Sequence, residues 1–411
     1  MNKPKPQHVP MDQFKTDQNC LLINGRSVMD LAEQLGSTPF YAYDSSLMTA
    51  RVQQLREVLP KEIHLHYAMK ANPMMAVVEH MAKLVDGLDV ASQGELEIAL
   101  QTSTLPKNIS FAGPGKRDPE LVAAIEAGIT INVESEGELR RIDKIATKLG
   151  VRPQIAIRVN PDFELKSSGM KMGGGPKQFG IDAERVPTVL TLLGDMDCHF
   201  RGFHIFSGSQ NLRSEAIIEA HDKTFELAIR LAESAPSEVE LLNIGGGFGI
   251  PYFPGETQLD LQPIADNLQR TLPKVINALP GAEIVTELGR YLVGEAGVYI
   301  CKIIDKKISR GHTFLITDGG LHHHLSASGN FGQVIRKNYP VAVANRMSSD
   351  NKELVSVVGP LCTPLDLLAD KVELPSAEPD DLVAVFQSGA YGFSASPQGF
   401  LSHPGAKEIL V

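Results

Sequence analysis

Cysteine is scarce in this sequence of 411 residues. The four cysteines are far apart and form no CxxC pair: Cys20, Cys198, Cys301 and Cys362. Disulfide frameworks and structural zinc sites both rely on closely spaced cysteines, so neither is expected here. The sequence instead predicts free thiols in a reducing cytosol.

Long apolar runs and concentrated positive charge are also missing. The N-terminal stretch 1–14 lacks the apolar core of a signal peptide, and no later run is long enough to span a bilayer. The formal net charge is −10, and the lysines and arginines are scattered, whereas a nucleic-acid partner needs a basic face. We therefore expect a cytoplasmic protein without a membrane or nucleic-acid partner.

From about Thr38 onward, short apolar runs alternate with amphipathic stretches. FYAYD (40–44) has the character of a strand, and the run 45–59 has helical spacing, with Ser45 or Ser46 as its expected N-cap. About eight such strand-like runs can be counted before residue 290. This rhythm predicts an α/β fold, a (β/α)8 TIM barrel, with an open doubly wound sheet as the alternative.

The rhythm changes after Arg290, where strand-like runs follow one another with few helices between them. We expect a C-terminal β-domain, barrel-like or sandwich-like, that also takes in the N-terminal segment. The expected division is a leader and β-domain contribution at 1–37, the barrel at 38–290, and the β-domain at 291–411.

A lysine stands where an apolar run ends and a helix begins, in YAMKAN (67–72). Active sites of parallel α/β folds collect at the carboxyl ends of strands. Lys70 could form a Schiff base there if its surroundings lower its pKa. A surface lysine at a strand–helix turn is the alternative for this segment alone.

Three consecutive glycines follow another strand-like run in NIGGGFG (243–249). Backbone N–H groups of such a turn can approach a phosphate closely. The segment matches neither GxGxxG nor GxxxxGK[ST], so a nucleotide fingerprint is not indicated. A phosphate-binding turn and a simple tight turn both remain open.

Four further motifs bear chemically useful side chains, although each also has an ordinary structural explanation. They are TELGRY (286–291) with Glu287 and Arg290, GFHIFSGSQ (202–210) with Phe206 and Ser209, GPLCTPLD (359–366) with Cys362, and SGAYGFS (388–394) with Tyr391. The ordinary explanations are a structural ion pair, a core phenylalanine with a turn serine, a buried thiol and a packing tyrosine.

The order of these motifs resembles that of the alanine-racemase-type (fold type III) enzymes that depend on pyridoxal 5′-phosphate (PLP). The similarity covers roughly residues 38–411 and is greatest to the branch of the diaminopimelate and ornithine decarboxylases. The resemblance implies a (β/α)8 barrel with a C-terminal β-domain. It also implies bound PLP, α-decarboxylation of an amino acid, and a homodimer with active sites completed across the interface.

The resemblance also assigns roles to individual residues. Lys70 is expected to form the Schiff base, Glu287 to pair with the pyridine nitrogen, and Cys362 of the partner subunit to protonate the carbanion after CO₂ leaves. The expected cofactor contacts complete the site. Those at the phosphate are Ser209, Gly245, Gly246, Gly247, Arg290 and Tyr391, those at the ring are Asp89, Arg158 and Phe206, and Gly289 is a further expected cofactor contact.

The sequence departs from the diaminopimelate and ornithine enzymes around the substrate. Thr363 follows the cysteine, where those enzymes carry an acidic residue for the distal ammonium, and Phe206 replaces their ring-stacking histidine. Their Arg-Pro-x-x-Tyr segment is not recognisable between Asp318 and Tyr339. Such departures resemble the decarboxylases of carrier-protein-linked glutamate and siderophore intermediates, and the exosortase-associated decarboxylases. The sequence thus predicts a carrier-linked or acylated substrate near Cys362, Thr363 and Asp366.

Other functions remain open at this stage: a diaminopimelate decarboxylase of lysine biosynthesis, a PLP-dependent racemase, and a PLP-binding regulator or carrier without catalysis. The run His322–His324 suggests metal binding, but three adjacent residues cannot all face one ion. We expect no metal site, and a solvated or substrate-lining loop at this position.

Overall fold

The computed structural model describes residues 6–164, 170–171 and 173–411. The first five residues of the expected leader, and residues 165–169 and 172 of the expected barrel range, lie outside the described residues. By its internal contacts the chain divides into two units. A barrel unit comprises 51–250 and 259–291, and a β-rich unit comprises 1–50, 251–258 and 292–411.

The barrel unit is built on eight parallel strands. They are β1 (Ile63–Ala68), β2 (Gly87–Val90), β3 (Ile109–Phe111), β4 (Thr130–Val133), β5 (Gln154–Asn160), β6 (His199–Ile205), β7 (Leu241–Gly246) and β8 (Glu283–Leu288). Each strand pairs with the next, and β8 pairs with β1, which closes the sheet. The expected (β/α)8 barrel is confirmed, and the open sheet is excluded because no edge remains between β8 and β1.

Amphipathic helices connect these strands. They are α1 (Met75–Ala82), α2 (Gln93–Ala99), α3 (Asp118–Ala127), α4 (Glu136–Leu149), α5 (Val186–Gly194), α6 (Ser214–Ala232) and α7 (Gln262–Ala278). Two of them begin at a reciprocal cap. Ser92 and Ser135 each accept the N–H of the glutamate three residues on, Glu95 and Glu138. Each glutamate carboxylate accepts the N–H of the residue before the serine, Ala91 and Glu134 respectively. None of the described helices is both long and apolar enough to cross a membrane.

The β-rich unit centres on the long strand Gly297–Ser309. It pairs antiparallel with Phe40–Tyr43, His312–Thr317 and Leu382–Val385. The remaining strands of this sheet are Val341–Val343, Lys352–Val358, Leu367–Pro375 and Lys407–Leu410. The expected β-domain with an N-terminal contribution is confirmed, since residues 1–50 belong to this unit. The expected boundary at residue 38 is wrong, because Phe40–Tyr43, which was counted with the barrel, pairs within this sheet.

The helix that follows Phe40–Tyr43 is capped by an aspartate, not by the expected serine. Asp44 Oδ1 accepts the N–H groups of Ser46 (2.9 Å) and Leu47 (3.1 Å), while its Oδ2 accepts the N–H of Asn24 (2.8 Å). Ser45 is already the first residue of the helix Ser45–Val58. A carboxylate with two acceptor oxygens satisfies more of the open N–H groups than a single hydroxyl can.

One histidine is buried in the barrel unit without a polar partner. His221 on α6 is 2% exposed, and its ring lies between those of Phe225 and Phe248. Neither ring nitrogen has a hydrogen-bond partner among the described residues. Burial therefore lowers the pKa of His221 to about 4, from 6.5.

This histidine is expected to make the fold sensitive to acid. A histidine whose pKa is lower in the folded state stabilises the fold above its unfolded pKa, and that stability is lost as the pH falls from 6.5 toward 4. The slope for one such group is about 1.4 kcal/mol per pH unit. His221→Leu should lack this component when the free energy of unfolding in urea is measured across that range. Equal slopes for the two proteins would contradict the prediction.

Candidate active site

Lys70 lies immediately beyond the carboxyl end of β1, in the turn Met69–Ala71. The turn is held by Tyr67, whose hydroxyl donates to the Asn72 carbonyl (2.8 Å), and by Asn72 Oδ1, which accepts the Met74 N–H (3.1 Å). Lys70 Nζ donates to Glu287 Oε1 at 3.2 Å. Lys70 and Glu287, which the sequence predicts in the same site, are therefore in direct contact.

Glu287, at the end of β8, is a buried anion. Its side chain is 7% exposed, and its second oxygen, Oε2, lies 3.1 Å from His204 Nε2. Burial alone would raise the pKa of Glu287. The charges of Lys70 and Arg158 and the contact with His204 outweigh burial and hold the pKa well below its usual value. Glu287 is therefore a carboxylate at neutral pH.

His204 was not assigned a role from the sequence, although it stands in the motif that carries Phe206 and Ser209. It is 2% exposed on β6, where it pairs in register with Arg158 of β5 and Asn243 of β7. Only the barrel's curvature brings it to Glu287 on β8. The signal in the sequence was the histidine at a strand end, two residues before the expected stacking residue.

Asp89 and Arg158 are each oriented by neighbours on adjacent strands. Asp89 Oδ1 accepts the Ser110 hydroxyl (2.5 Å) and lies 3.3 Å from His66 Nδ1, while Asp89 Oδ2 has no hydrogen-bond partner among the described residues. Arg158 Nη1 donates to Glu134 Oε1 (2.7 Å). One carboxylate oxygen of Asp89 thus remains available inside the barrel.

The glycine turn at the end of β7 has no room for side chains. A Cβ on Gly246 would lie 2.0 Å from the Glu287 carbonyl oxygen, and one on Gly245 would lie 2.5 Å from Phe206 Cδ2. Gly245 and Gly247 also have positive φ angles, +69° and +81°. Bare backbone therefore lies directly beside Phe206 and Glu287, as close approach to a phosphate requires.

The remaining barrel residues expected at the cofactor adjoin this turn. A Cβ on Gly289 would meet the Ala68 carbonyl oxygen at 2.9 Å, so glycine lets the end of β8 pack against the Lys70 turn. Arg290 follows at the start of the helix Arg290–Val293. Ser209 stands next to Gly208, whose carbonyl oxygen lies against Gly247.

The other expected site residues belong to the β-rich unit. Cys362 is exposed, and Tyr391 has a left-handed backbone with φ of 54°. The carbonyl of Tyr391 accepts the hydroxyl of Ser326 at 2.9 Å. These residues thus lie on loops that are bonded to other loops of the same unit.

Of the two expected forms of the loop at His322–His324, the solvated one is wrong, because all three side chains are fully buried. The substrate-lining form stays a prediction. His323 Nε2 lies 2.8 Å from the Pro404 carbonyl oxygen, and His324 Nε2 lies 2.8 Å from Ser388 Oγ. Burial lowers the pKa of His324 to about 3, so it is neutral at physiological pH. In the part of the chain that is described, no cluster of three or more histidine, cysteine or acidic residues is arranged to hold a metal ion.

Comparison with known proteins agrees with this geometry. The family model described as pyridoxal-dependent decarboxylase, pyridoxal binding domain, matches residues 45–294. The L-glutamyl-[BtrI acyl-carrier protein] decarboxylase of Niallia circulans is 40% identical over 91% of this chain and 88% of its own. The diaminopimelate decarboxylase of Aquifex aeolicus (strain VF5) is 33% identical over 95% of this chain and 90% of its own.

Two further relatives extend the comparison. The 2-[(L-alanin-3-ylcarbamoyl)methyl]-2-hydroxybutanedioate decarboxylase of Staphylococcus aureus (strain NCTC 8325 / PS 47) is 31% identical over 94% of this chain and 98% of its own. The crystal structure of diaminopimelate decarboxylase from M. jannaschii with L-lysine superposes with a TM-score of 0.86. It has 28% identity and covers 97% of this chain and 92% of that one.

The chain therefore belongs to the pyridoxal-dependent decarboxylases, of the fold type III class that the sequence motifs resembled. It is an enzyme of the carboxy-lyase type, as expected, and its relatives include decarboxylases of carrier-linked and acylated amino acids. The racemase and the non-catalytic alternatives are not supported.

The glycine turn yields a stability prediction. Gly246→Ala should lower the free energy of unfolding by about 1–3 kcal/mol, because its Cβ would force β7 and β8 apart. Gly94→Ala is a suitable control, since its Cβ would meet nothing nearer than 3.9 Å within α2. The control should be as stable as the wild type or more stable in urea unfolding. Equal stability of both variants would contradict the prediction.

Proposed function

We propose that the chain uses PLP, bound through the ε-amino group of Lys70, to remove the α-carboxylate of an amino acid whose distal end is acylated or tethered. The observation that carries the cofactor proposal is the contact of Lys70 Nζ with Glu287 Oε1, beside a glycine turn without side chains. The lysine suits the aldehyde of PLP, the buried anion suits its ring nitrogen, and the bare backbone suits its phosphate.

The proposed roles in the barrel unit follow from the chemistry of each group. When bound, PLP accepts the electron pair that departure of the α-carboxylate leaves behind. Glu287 remains an anion and favours a proton on the ring nitrogen that it would face. Asp89 and Arg158 would flank the ring, and Phe206 would cover it with an apolar surface.

Further proposed contacts would hold the phosphate. Backbone N–H groups of the glycine turn suit an anion, and they would be joined by Ser209, the Gly289–Arg290 turn and Tyr391. Glycine at position 289 keeps the end of β8 close to the Lys70 turn, since a Cβ there would meet the Ala68 carbonyl oxygen at 2.9 Å. The charged guanidinium of Arg290 would add a charge-assisted bond.

Cys362 is the proposed proton donor. Its thiol would transfer the Sγ proton to the α-carbon after CO₂ has left, which completes the amine product. We also propose a homodimer in which a second copy of the chain supplies Cys362. The exposure of Cys362 in the β-rich unit supports this role, since a proton donor must be reachable.

The cofactor proposal can be tested by chemical trapping. Wild-type protein incubated with PLP and reduced with borohydride should gain one phosphopyridoxyl group on the peptide that contains Lys70. Lys70→Ala should gain none, and Lys83→Ala should label like the wild type, because Lys83 lies on the surface and pairs with Glu79. Peptide mass spectrometry reads the result. Equal labelling of Lys70→Ala would overturn the assignment.

The substrate proposal rests on what surrounds Cys362. Thr363 offers a hydroxyl but no charge, so a free distal ammonium would lack the charge-assisted bond that an acidic residue supplies. Asp366 cannot replace it, since its carboxylate is 3% exposed and accepts two backbone N–H groups. Two relatives are named for substrates whose distal end is carrier-linked or joined through a carbamoyl group, which supports the same reading.

Charge at position 363 should therefore control the substrate. Wild-type protein should release CO₂ from the γ-thioester of L-glutamate with N-acetylcysteamine faster than from meso-diaminopimelate. Thr363→Glu should raise kcat/KM for diaminopimelate about 10-fold or more, because a charge-assisted bond contributes roughly 1.5–3 kcal/mol. Thr363→Gln, similar in size but uncharged, should show no gain.

Diaminopimelate decarboxylation is the second candidate, favoured by the relatives and solved structures that bear that name. The same measurement separates the two. Wild-type turnover of diaminopimelate that equals or exceeds turnover of the thioester would sink the proposal of an acylated substrate.

A further inference from the structure

The segment 359–366, which carries Cys362, is a tight loop between the strands Lys352–Val358 and Leu367–Pro375. Its two ends are bonded to each other, because the Gly359 N–H donates to the Asp366 carbonyl at 3.1 Å. Within it, the Asp366 N–H donates to the Thr363 carbonyl (3.2 Å) and the Thr363 N–H to the Leu361 carbonyl (2.8 Å). The exposed Cys362 therefore stands on a closed loop.

The buried carboxylate of Asp366 holds this loop through hydrogen bonds to backbone N–H groups. Its Oδ2 accepts the N–H of Leu361, directly before Cys362, at 2.8 Å. Its Oδ1 accepts the N–H of Leu321, directly before His322, at 2.6 Å. One buried side chain thus ties the loop of Cys362 to a second loop, 45 residues away along the chain.

The surroundings of Asp366 are shaped to receive this carboxylate. A Cβ on Gly320 would lie 2.1 Å from Asp366 Oδ1, and one on Gly359 would lie 2.3 Å from Oδ2. Among the described residues, the carboxylate takes part in no salt bridge within 4 Å. Burial raises the pKa of Asp366, and the two backbone N–H groups act against that rise.

The Asp366 carboxylate pairs two backbone N–H groups that an apolar side chain would leave without an acceptor. Its contacts are directional, since one oxygen fixes the Leu361 amide and the other fixes the Leu321 amide. Directional fixing of Cys362 matters for the proposed reaction. In a proton transfer, a displacement of about 1 Å can reduce the rate roughly 100-fold.

We propose that Asp366 is a positioning residue for Cys362, which holds its loop in the one conformation from which Sγ delivers a proton to a single face of the α-carbon. This proposal rests on the proposed function, in which Cys362 is the proton donor. In that step the Sγ–H bond breaks and the Cα–H bond forms with the electron pair left by CO₂, and the thiolate then regains a proton from solvent. It replaces the expectation that Asp366 contacts the substrate.

The test compares Asp366→Asn with the wild type in D₂O, with the γ-thioester of L-glutamate and N-acetylcysteamine as the probe. Asparagine has nearly the same size as aspartate, but its Nδ2 is a donor and cannot accept a backbone N–H. One of the two hydrogen bonds, from Leu321 or from Leu361, is therefore lost. Wild-type protein should place deuterium on one face of the product α-carbon. Asp366→Asn should give both faces, with kcat reduced about 100-fold and with faster alkylation of Cys362 by iodoacetamide.

A neighbouring aspartate gives a matched control. Asp370 lies four residues on and accepts the Ser356 hydroxyl at 2.9 Å, and within the described part of the chain its side chain has no hydrogen bond to residues 359–366. Asp370→Asn should keep the stereochemistry and the alkylation rate of the wild type. Borohydride labelling of Lys70 in all three proteins shows that the barrel site is intact.

The outcomes separate the two proposals. If wild-type protein neither labels at Lys70 nor releases CO₂, the proposed function fails. If wild-type protein is active, Asp366→Asn still places deuterium on one face, and its Cys362 is alkylated at the wild-type rate, only the proposed role of Asp366 fails.

A measurement on the wild type covers the case in which Asp366→Asn does not fold. Hydrogen exchange should show the Leu361 and Leu321 amides as the slowest in their two loops, because the carboxylate holds both. Exchange of these two amides as fast as that of the Cys362 amide would also overturn the proposal.

Discussion

The pairing of β8 with β1 is the constraint on which the rest of the barrel site depends. In this register Glu287 lies opposite His66 and Leu288 opposite Tyr67, and the Glu287 carboxylate accepts a hydrogen bond from Lys70 Nζ at 3.2 Å. All eight strands run in the same direction, so their carboxyl ends meet on one face of the barrel. A slip of one residue would turn Glu287 out of the barrel and leave Lys70 without its partner.

The barrel site also requires that the negative charge of Glu287 be compensated. A carboxylate as buried as Glu287 is costly unless basic groups and hydrogen bonds compensate it. Here the compensation comes from three strands: Lys70 after β1, His204 on β6 and Arg158 on β5. Arg158 is held in turn by Glu134. The low pKa of Glu287 is thus a property of the closed barrel rather than of any single segment.

The β-rich unit solves a different problem, since its chemically useful residues lie on loops. Loops move unless side chains fix them, and a reacting group must be held to within a fraction of an ångström. Asp366 ties two loops together, and Ser326 and His324 bond the segment that carries Tyr391. His323 and His324 add to this bracing through their contacts with the Pro404 carbonyl and the Ser388 hydroxyl.

Local patterns in the sequence were sufficient for the parts of this protein that depend on near neighbours. The strand–helix rhythm predicted the barrel, and YAMKAN and NIGGGFG marked a lysine and a bare turn at strand ends. Only the tertiary structure decided what depends on pairing between distant segments. It brought His204 to Glu287, placed Phe40–Tyr43 in the β-rich sheet, and directed Asp366 to Leu321 rather than toward solvent. Residue type and spacing encode strands and turns, whereas these contacts arise from sheet closure and loop packing over tens of residues.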